Sequence, residues 1–189
     1  AGQVFDRVVT PDLDLRDEDR LLFQAAGILH DIGHGPFSHV FENEVMPALT
    51  GNHLWNHEDQ GLRLIDKLLD DNHIDLFDSH QVKQLKGMIM GCIPGERKFL
   101  QQIISNSDSG IDVDRFDYFQ RDSQVLGLSH GFNPNLILTY MKLVDNEICF
   151  DYRKVYDIFQ FFSARYSLHT RLYQHAVSKA IEFMVCDAL

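Results

Sequence analysis

Residues 26–39 read Ala26-Gly27-Ile28-Leu29-His30-Asp31-Ile32-Gly33-His34-Gly35-Pro36-Phe37-Ser38-His39. Three histidines and an aspartate fall within ten residues, set among glycines and a proline. Imidazole and carboxylate are ligands of borderline and harder divalent metals, and imidazole carries protons near neutral pH. The dipeptide His30-Asp31 has little weight by itself: with 10 His and 21 Asp in 189 residues, random placement yields about one such pair. Its setting has more. Asp17 to Leu29 places Leu21, Leu22, Ala25, Ile28 and Leu29 at three-to-four spacing, which predicts an amphipathic helix. Asp17, Glu18 and Asp19 sit in its first turn, at the positive end of the dipole, and Gly33, Gly35 and Pro36 stop it. His30 and Asp31 are then expected in the last helical turn, where the partial negative charge favours a cation. Two readings stand side by side: a helix end that happens to carry a histidine, or one part of a metal-dependent hydrolytic centre.

A chain of 189 residues with 44% apolar content suits one soluble domain with a sizeable core. No run approaches the length of a membrane helix and no secretory signal opens the sequence. Cys92, Cys149 and Cys186 are odd in number and far apart, the usage of reduced thiols in an intracellular protein, cytoplasmic or nuclear. The formal net charge of −11 argues against nucleic acid as the main partner, while leaving room for a local basic pocket that takes a small anion. The acidic blocks Asp12–Asp19 and Asp70–Asp78 read as solvated faces and turns. The sequence starts at Ala1 and stops at Leu189 inside a helical pattern. It is therefore expected to be one domain, 1–189, of a longer protein cut at both ends.

The rest of the pattern is helical: Asn56–Leu69, His80–Met90 ended by Pro94-Gly95, Glu96–Ile104, Ile111–Gln120, and Val155–Leu189 as one long helix or two in tandem. A strand pair around Asp145-Asn146 is the main β signal, and 127–134 reads as a loop. The expected class is all-α in the main, a helical bundle with a small hairpin. Five of the ten histidines lie between 30 and 57, which concentrates the chemistry there.

Two further segments matter. In Gly110-Ile111-Asp112-Val113-Asp114-Arg115-Phe116-Asp117-Tyr118-Phe119-Gln120-Arg121-Asp122, helical periodicity puts Asp114, Tyr118, Arg121 and Asp122 on one face. That face is either a solvated charged stripe or a set of ligand-binding groups. In Arg165-Tyr166-Ser167-Leu168-His169-Thr170-Arg171-Leu172-Tyr173-Gln174-His175, residues Arg165, His169 and Tyr173 share a face. It is either the polar side of a core helix or a site in which arginine meets phosphate and tyrosine meets a ring or hydroxyl.

Three blocks in order, AGILHDIGHGPFSHVFE, GIDVDRFDYFQRD and SARYSLHTRLYQHAV, together with Trp55-Asn56-His57-Glu58, resemble the HD-domain phosphohydrolases. The third block favours the branch of deoxynucleoside triphosphate triphosphohydrolases that includes the vertebrate SAM-and-HD-domain enzyme. The resemblance implies an HD-domain helical bundle and a metal-dependent phosphohydrolase acting on dNTPs. It implies a divalent metal ion (Fe, Mn, Zn or Mg) held by His30, Asp31 and Asp114, with His34, His39 and His57 as phosphate-binding and catalytic histidines. It implies phosphate contact by Arg115, where the vertebrate enzyme has lysine, sugar contacts by Tyr118 and Asp122, and further pocket contacts by Arg165 and Tyr173, with His175 beside them. It also implies assembly into dimers or tetramers. Glu42, one turn past His39, either orients one of the histidines or faces solvent.

The family pattern opens with another metal-binding histidine on a preceding helix, and no histidine precedes His30 here. The expectation is that the chain was cut after it, the alternative being a site that lacks that ligand. Two other functions fit the same residues: another HD phosphohydrolase, acting as a nucleoside monophosphatase or phosphodiesterase, and a nucleotide-binding protein with a degenerate metal site.

Overall fold

The computed structural model describes residues 1–8, 13, 15, 17–51, 53–93, 98–128 and 131–189. Helices α1 (Gly2–Val8) and α2 (Asp17–Leu29) pack together, with the Phe5 and Phe23 rings 5.3 Å apart. The bounds of α2 match the sequence reading, but its buried face does not. Leu22, Phe23 and Ala26 are buried, whereas Leu21 is 42% and Ile28 78% exposed. Leu21 and Ile28 lie seven residues apart, so they form a second stripe on the far side of the same helix. The helix ends at Leu29, which puts His30 and Asp31 in the turn after it and not in its last turn.

Beyond that turn a π-helical segment, Phe41–Val45, runs into α3 (Met46–Thr50). Helix α4 (His57–Asp71) starts where the Asn56 side chain accepts the Asp59 N–H at 2.7 Å. Helix α5 (Ser79–Ile89) opens with a reciprocal capping box between Asp78 and Gln81. The turn expected at Pro94-Gly95 and the helix start expected at Glu96 lie outside the described residues; α6 is Lys98–Ile104. Helix α7 (Val113–Val125) begins later than the pattern suggested because Asp112 caps it, its side chain accepting the Arg115 N–H at 3.0 Å.

The loop expected over 127–134 holds among its described residues as far as Asn133, and α8 (Pro134–Thr139) follows. Strands β1 (Met141–Val144) and β2 (Glu147–Phe150) pair antiparallel, Met141 opposite Phe150 and Val144 opposite Glu147. Asp145 and Asn146 both have positive φ, at 49° and 63°, as a two-residue hairpin turn requires. The C-terminal region is two helices, α9 (Val155–Leu168) and α10 (Ala176–Ala188), separated by a π-helical segment, His169–Tyr173.

Two apolar clusters hold these elements. One joins α1, α2, α5, α6 and the hairpin around Phe23, Leu85, Met88, Phe99 and Ile103, with Ile65 of α4. The other joins α7, α8 and α9 around Phe116, Phe119, Ile137 and Phe161. Helix α2 belongs to the first and α7 to the second, so residues at the end of α2 and the start of α7 face each other across the seam. Among the described residues no helix is long and apolar enough to cross a membrane.

The turn after α2 is seated directly on α4. A methyl group on Gly33 would overlap the His57 carbonyl oxygen and the backbone of Gly61. Backbone atoms cannot swing aside as a side chain can, so Gly33→Ala is expected to cost about 1–3 kcal/mol, as overpacking does elsewhere. Urea unfolding of the variant checks this, and an unchanged midpoint would contradict it.

Candidate active site

His30 sits just past the end of α2, where the helix leaves carbonyls unpaired. Its Nδ1 donates to the Gly27 carbonyl at 3.0 Å. That bond fixes the ring and turns Nε2 outward, toward the Asp31 carboxylate at 3.3 Å and the Asp114 carboxylate at 3.4 Å. Asp114 arrives from the first turn of α7, whose opposite face is anchored by Phe116 and Phe119. Nε2 is buried and has no hydrogen-bond partner. A buried lone pair between two carboxylates is costly unless something electropositive lies there. Donors about 2.0–2.2 Å from a shared ion, at right or tetrahedral angles, stand about 3.0–3.5 Å apart, and the separations here fall in that range. The residues therefore fit a divalent cation. Without one, pairing with Asp114, opposed by burial and aided by the charge of Asp31, pushes the His30 pKa up to about 9.

A second donor group adjoins the first. His34, His39, Glu42 and His57 offer ligand atoms that all lie within 4.8 Å of one another. The His34 and His57 rings stack at 3.8 Å, and His39 meets the His34 ring edge-on at 4.8 Å. Phe37 and Ser38 both adopt left-handed backbone, φ 65° and 50°, so the loop folds back to bring His39 to its partners. Glu42 does not face solvent: its side chain is 15% exposed and accepts a hydrogen bond from His57 Nδ1 at 2.7 Å. Burial works against its charge, yet the bond from His57 and the charges of His57 and His39 hold its carboxyl below the ordinary range. Burial, then His57, lowers the His34 pKa. His34 Nε2 lies 3.6 Å from Asp31, which links the two groups.

Both groups border one cavity of about 800 Å³. Its wall also holds Arg115, Tyr118, Arg121 and Asp122 of α7, Arg165 of α9, and His169 and Tyr173 of the π segment that follows. Tyr173 donates to Asp122 at 2.6 Å, and burial followed by that carboxylate raises its pKa. Burial likewise raises Tyr118, against the pull of Arg115. Burial and then Arg165 lower His169. Arg121 also makes an exposed pair with Asp117 one turn away, so part of the α7 face is a charged stripe after all.

All but two of the residues singled out from the sequence border the cavity; Glu42, which reaches it only through His57, and His175 do not. The helical run ends at Tyr173, and His175 becomes the cap of α10, its Nδ1 accepting the Val177 N–H at 3.3 Å. Sequence reasoning missed Asp112, a buried residue in the wall ion-paired with Arg115. The available signal was an aspartate at the head of a predicted helix. It also missed Lys179 and Glu182, which α10 brings to the rim.

The HD domain family model matches residues 7–122. The chain belongs to the HD-domain family. Over its whole length it is 39% identical to a protein of Dictyostelium discoideum named deoxynucleoside triphosphate triphosphohydrolase SAMHD1 homolog, covering 37% of that relative. Over 94% of its length it is 34% identical to the Homo sapiens deoxynucleoside triphosphate triphosphohydrolase SAMHD1, covering 32% of it. The Gallus gallus protein of the same name is 31% identical over 94% of the chain, with 33% of the relative covered. The chain thus spans about a third of the length of these curated relatives. His30, Asp31 and Asp114 all lie inside the matched region.

A metal ion held by His30 Nε2 would compete with a proton for the same lone pair. The ring of the metal-free protein holds its proton up to about pH 9, so metal binding at neutral pH must release it, and acid must weaken binding. Between pH 6.5 and 8.5 the affinity for Mn is expected to rise by roughly tenfold per pH unit. Chelator competition across that range measures the slope; a flat profile would exclude His30 as the titrating ligand.

Proposed function

We propose that this HD domain is the catalytic core of a metal-dependent hydrolase that splits dNTPs into deoxynucleoside and inorganic triphosphate. The observation that carries the reading is the unpartnered His30 Nε2 between Asp31 and Asp114, opening on the same cavity as three clustered histidines and three arginines. The names of the relatives support the substrate class. The same reading makes the protein intracellular and an assembler with copies of itself.

His30, Asp31 and Asp114 would hold the ion. A divalent cation there supplies Lewis-acid polarisation of a phosphoryl oxygen and water of lowered pKa. The remaining work falls to the chain. Arg115 and Arg165 neutralise the phosphate tail, and His34 donates to the phosphate nearest the metal ligands. His57 protonates the leaving 5′ oxygen. It is favoured over His39 because its side chain is 18% exposed against 70%, and because Glu42 holds its Nδ1 at 2.7 Å against 3.7 Å for His39. Fixing Nδ1 as the donor to Glu42 leaves Nε2 to hold and deliver the proton. Tyr118 and the Tyr173–Asp122 pair form the sugar end. A tyrosine face against the sugar leaves little room for a 2′-hydroxyl, which disfavours ribonucleotides.

The test is incubation of the full-length protein with each dNTP and Mn, with products separated by charge. Triphosphate and deoxynucleoside are expected, with ribonucleotides turned over more slowly. Orthophosphate released from a deoxynucleoside monophosphate, with no triphosphate from dNTPs, would replace this reading with a monophosphatase. Metal-loaded protein that binds dNTPs but yields no product would replace it with a nucleotide-binding function.

The Glu42–His57 pair gives a sharper expectation. Glu42→Gln keeps the shape but removes the charge that orients the imidazole, and loss of such a supporting partner costs about 10–100-fold in activity. Steady-state kinetics on dGTP should show the loss in kcat with metal content unchanged; a kcat within threefold of the unsubstituted protein would remove Glu42 from the mechanism.

A further inference from the structure

Asp112 is the most buried carboxylate in the wall of the cavity, and it belongs to neither donor group. Asp112 has a side chain 4% exposed, against 40% for Asp114 and 27% for Asp122. Its Oδ1 accepts the backbone N–H of Arg115 at 3.0 Å, and its Oδ2 accepts the backbone N–H of Asn106 at 3.1 Å. Asn106 is itself buried, its side chain accepting from the N–H groups of Asp108 and Ser109 and donating to the Ile111 carbonyl at 3.3 Å. Backbone on both sides therefore fixes the Asp112 carboxylate. The same Oδ2 then takes Nη1 of Arg115 in an ion pair. The flexible partner follows the rigid one, so the carboxylate decides where the guanidinium points. Arginine offers five donors in a planar fork, so a grip on one edge still leaves donors for an anion. Asp114 lies between the two partners in sequence, on the turn that Asp112 caps.

We infer that Asp112 is a positioning residue of the hydrolytic site, holding the Arg115 guanidinium in fixed register with the Asp114 carboxylate so that phosphate is aimed at the metal ligands. Its negative charge beside the guanidinium also restrains simple affinity for polyphosphate, so the arginine contributes orientation more than tightness. The inference rests on the triphosphohydrolase reading above.

Asp112→Asn keeps an acceptor that caps the helix and removes the charge; its amide also replaces the oxygen that accepts the Asn106 N–H, and the thermal midpoint and the Arg115→Lys background separate that structural loss from loss of the ion pair. The full-length, Mn-loaded protein is compared with this variant in kcat and KM for dGTP, Kd for inorganic tripolyphosphate by calorimetry, metal content and thermal midpoint. Expected are a kcat lowered by about tenfold or more, as for lost supporting partners, a KM and a tripolyphosphate Kd no weaker than before, and unchanged metal content. In an Arg115→Lys background the same substitution should change kcat by less than about threefold, the coupling expected of contacting residues. Asp112→Ser, another capping residue without charge, should reproduce the result if asparagine folds poorly. A kcat within threefold of the parent, a full effect persisting beside Arg115→Lys, or loss of metal in both variants would overturn the assignment. If the unsubstituted protein releases no triphosphate from any dNTP, the hydrolase reading falls and this one with it; if it does and kcat survives Asp112→Asn, only the positioning role falls.

Discussion

The hydrogen bond from His30 Nδ1 to the Gly27 carbonyl is the contact on which the site depends. It occupies one nitrogen with an orphan carbonyl of the helix end and thereby commits the other, Nε2, to the space between Asp31 and Asp114. The sequence offered two readings of this histidine, a helix end or a ligand. They are not rivals. Closing the helix is what selects the tautomer a metal needs, and a histidine one residue earlier or later would not reach the same carbonyl with the same outward nitrogen.

That contact is useful only because the fold brings a second carboxylate from another apolar cluster. Asp114 belongs to α7, which buries Phe116 and Phe119 against α9, while His30 follows α2, which buries Leu22, Phe23 and Ala26 against α1, α5 and α6. Neither cluster contains a complete site. The seam between them is where polar groups can converge without being sealed from solvent, which is why Asp31 and Asp114 keep 53% and 40% of their side-chain exposure. A centre placed within either cluster would have had to bury those carboxylates outright.

Much of this was legible beforehand. The bounds of α2 and the hairpin at Asp145-Asn146 follow from apolar periodicity and turn chemistry; the grouping of His34, His39 and His57 came from the family resemblance, since density alone does not set them apart from His53. The rest was hidden for identifiable reasons. A helix with apolar residues on two sides, such as α2, does not say which side is buried, and Ile28 went to solvent. Five-residue elements such as Met46–Thr50 are too short for periodicity to declare them. Glu42 sits in the π-helical segment Phe41–Val45, where a wider turn displaces side chains from the direction that ordinary helical spacing predicts, and its partner His57 lies fifteen residues away on α4. His175 left the site for a different reason: the π segment His169–Tyr173 ends the helical run, and after Gln174 the His175 side chain serves as the cap of α10.

The two donor groups differ in a way that assigns them different work. Carboxylates surround His30, so positive charge is drawn there, and with a pKa raised to about 9 it holds a proton or yields its place to a metal. Burial and neighbouring imidazoles surround His34, whose pKa is lowered, so positive charge is discouraged. Glu42 is the only carboxylate in that second group, and it compensates one positive charge, not three. A cluster of three touching imidazoles with a single counter-charge is therefore suited to move one proton at a time beside the site that draws the cation. Asp31 reaches both groups, 3.3 Å from His30 and 3.6 Å from His34, so a change of charge on one side is felt on the other. In the proposed reading, electrostatics of this kind keeps cation binding and proton transfer apart within a few ångströms, with residues from the end of α2, the starts of α4 and α7, the loop at 34–39 and the π-helical segment Phe41–Val45.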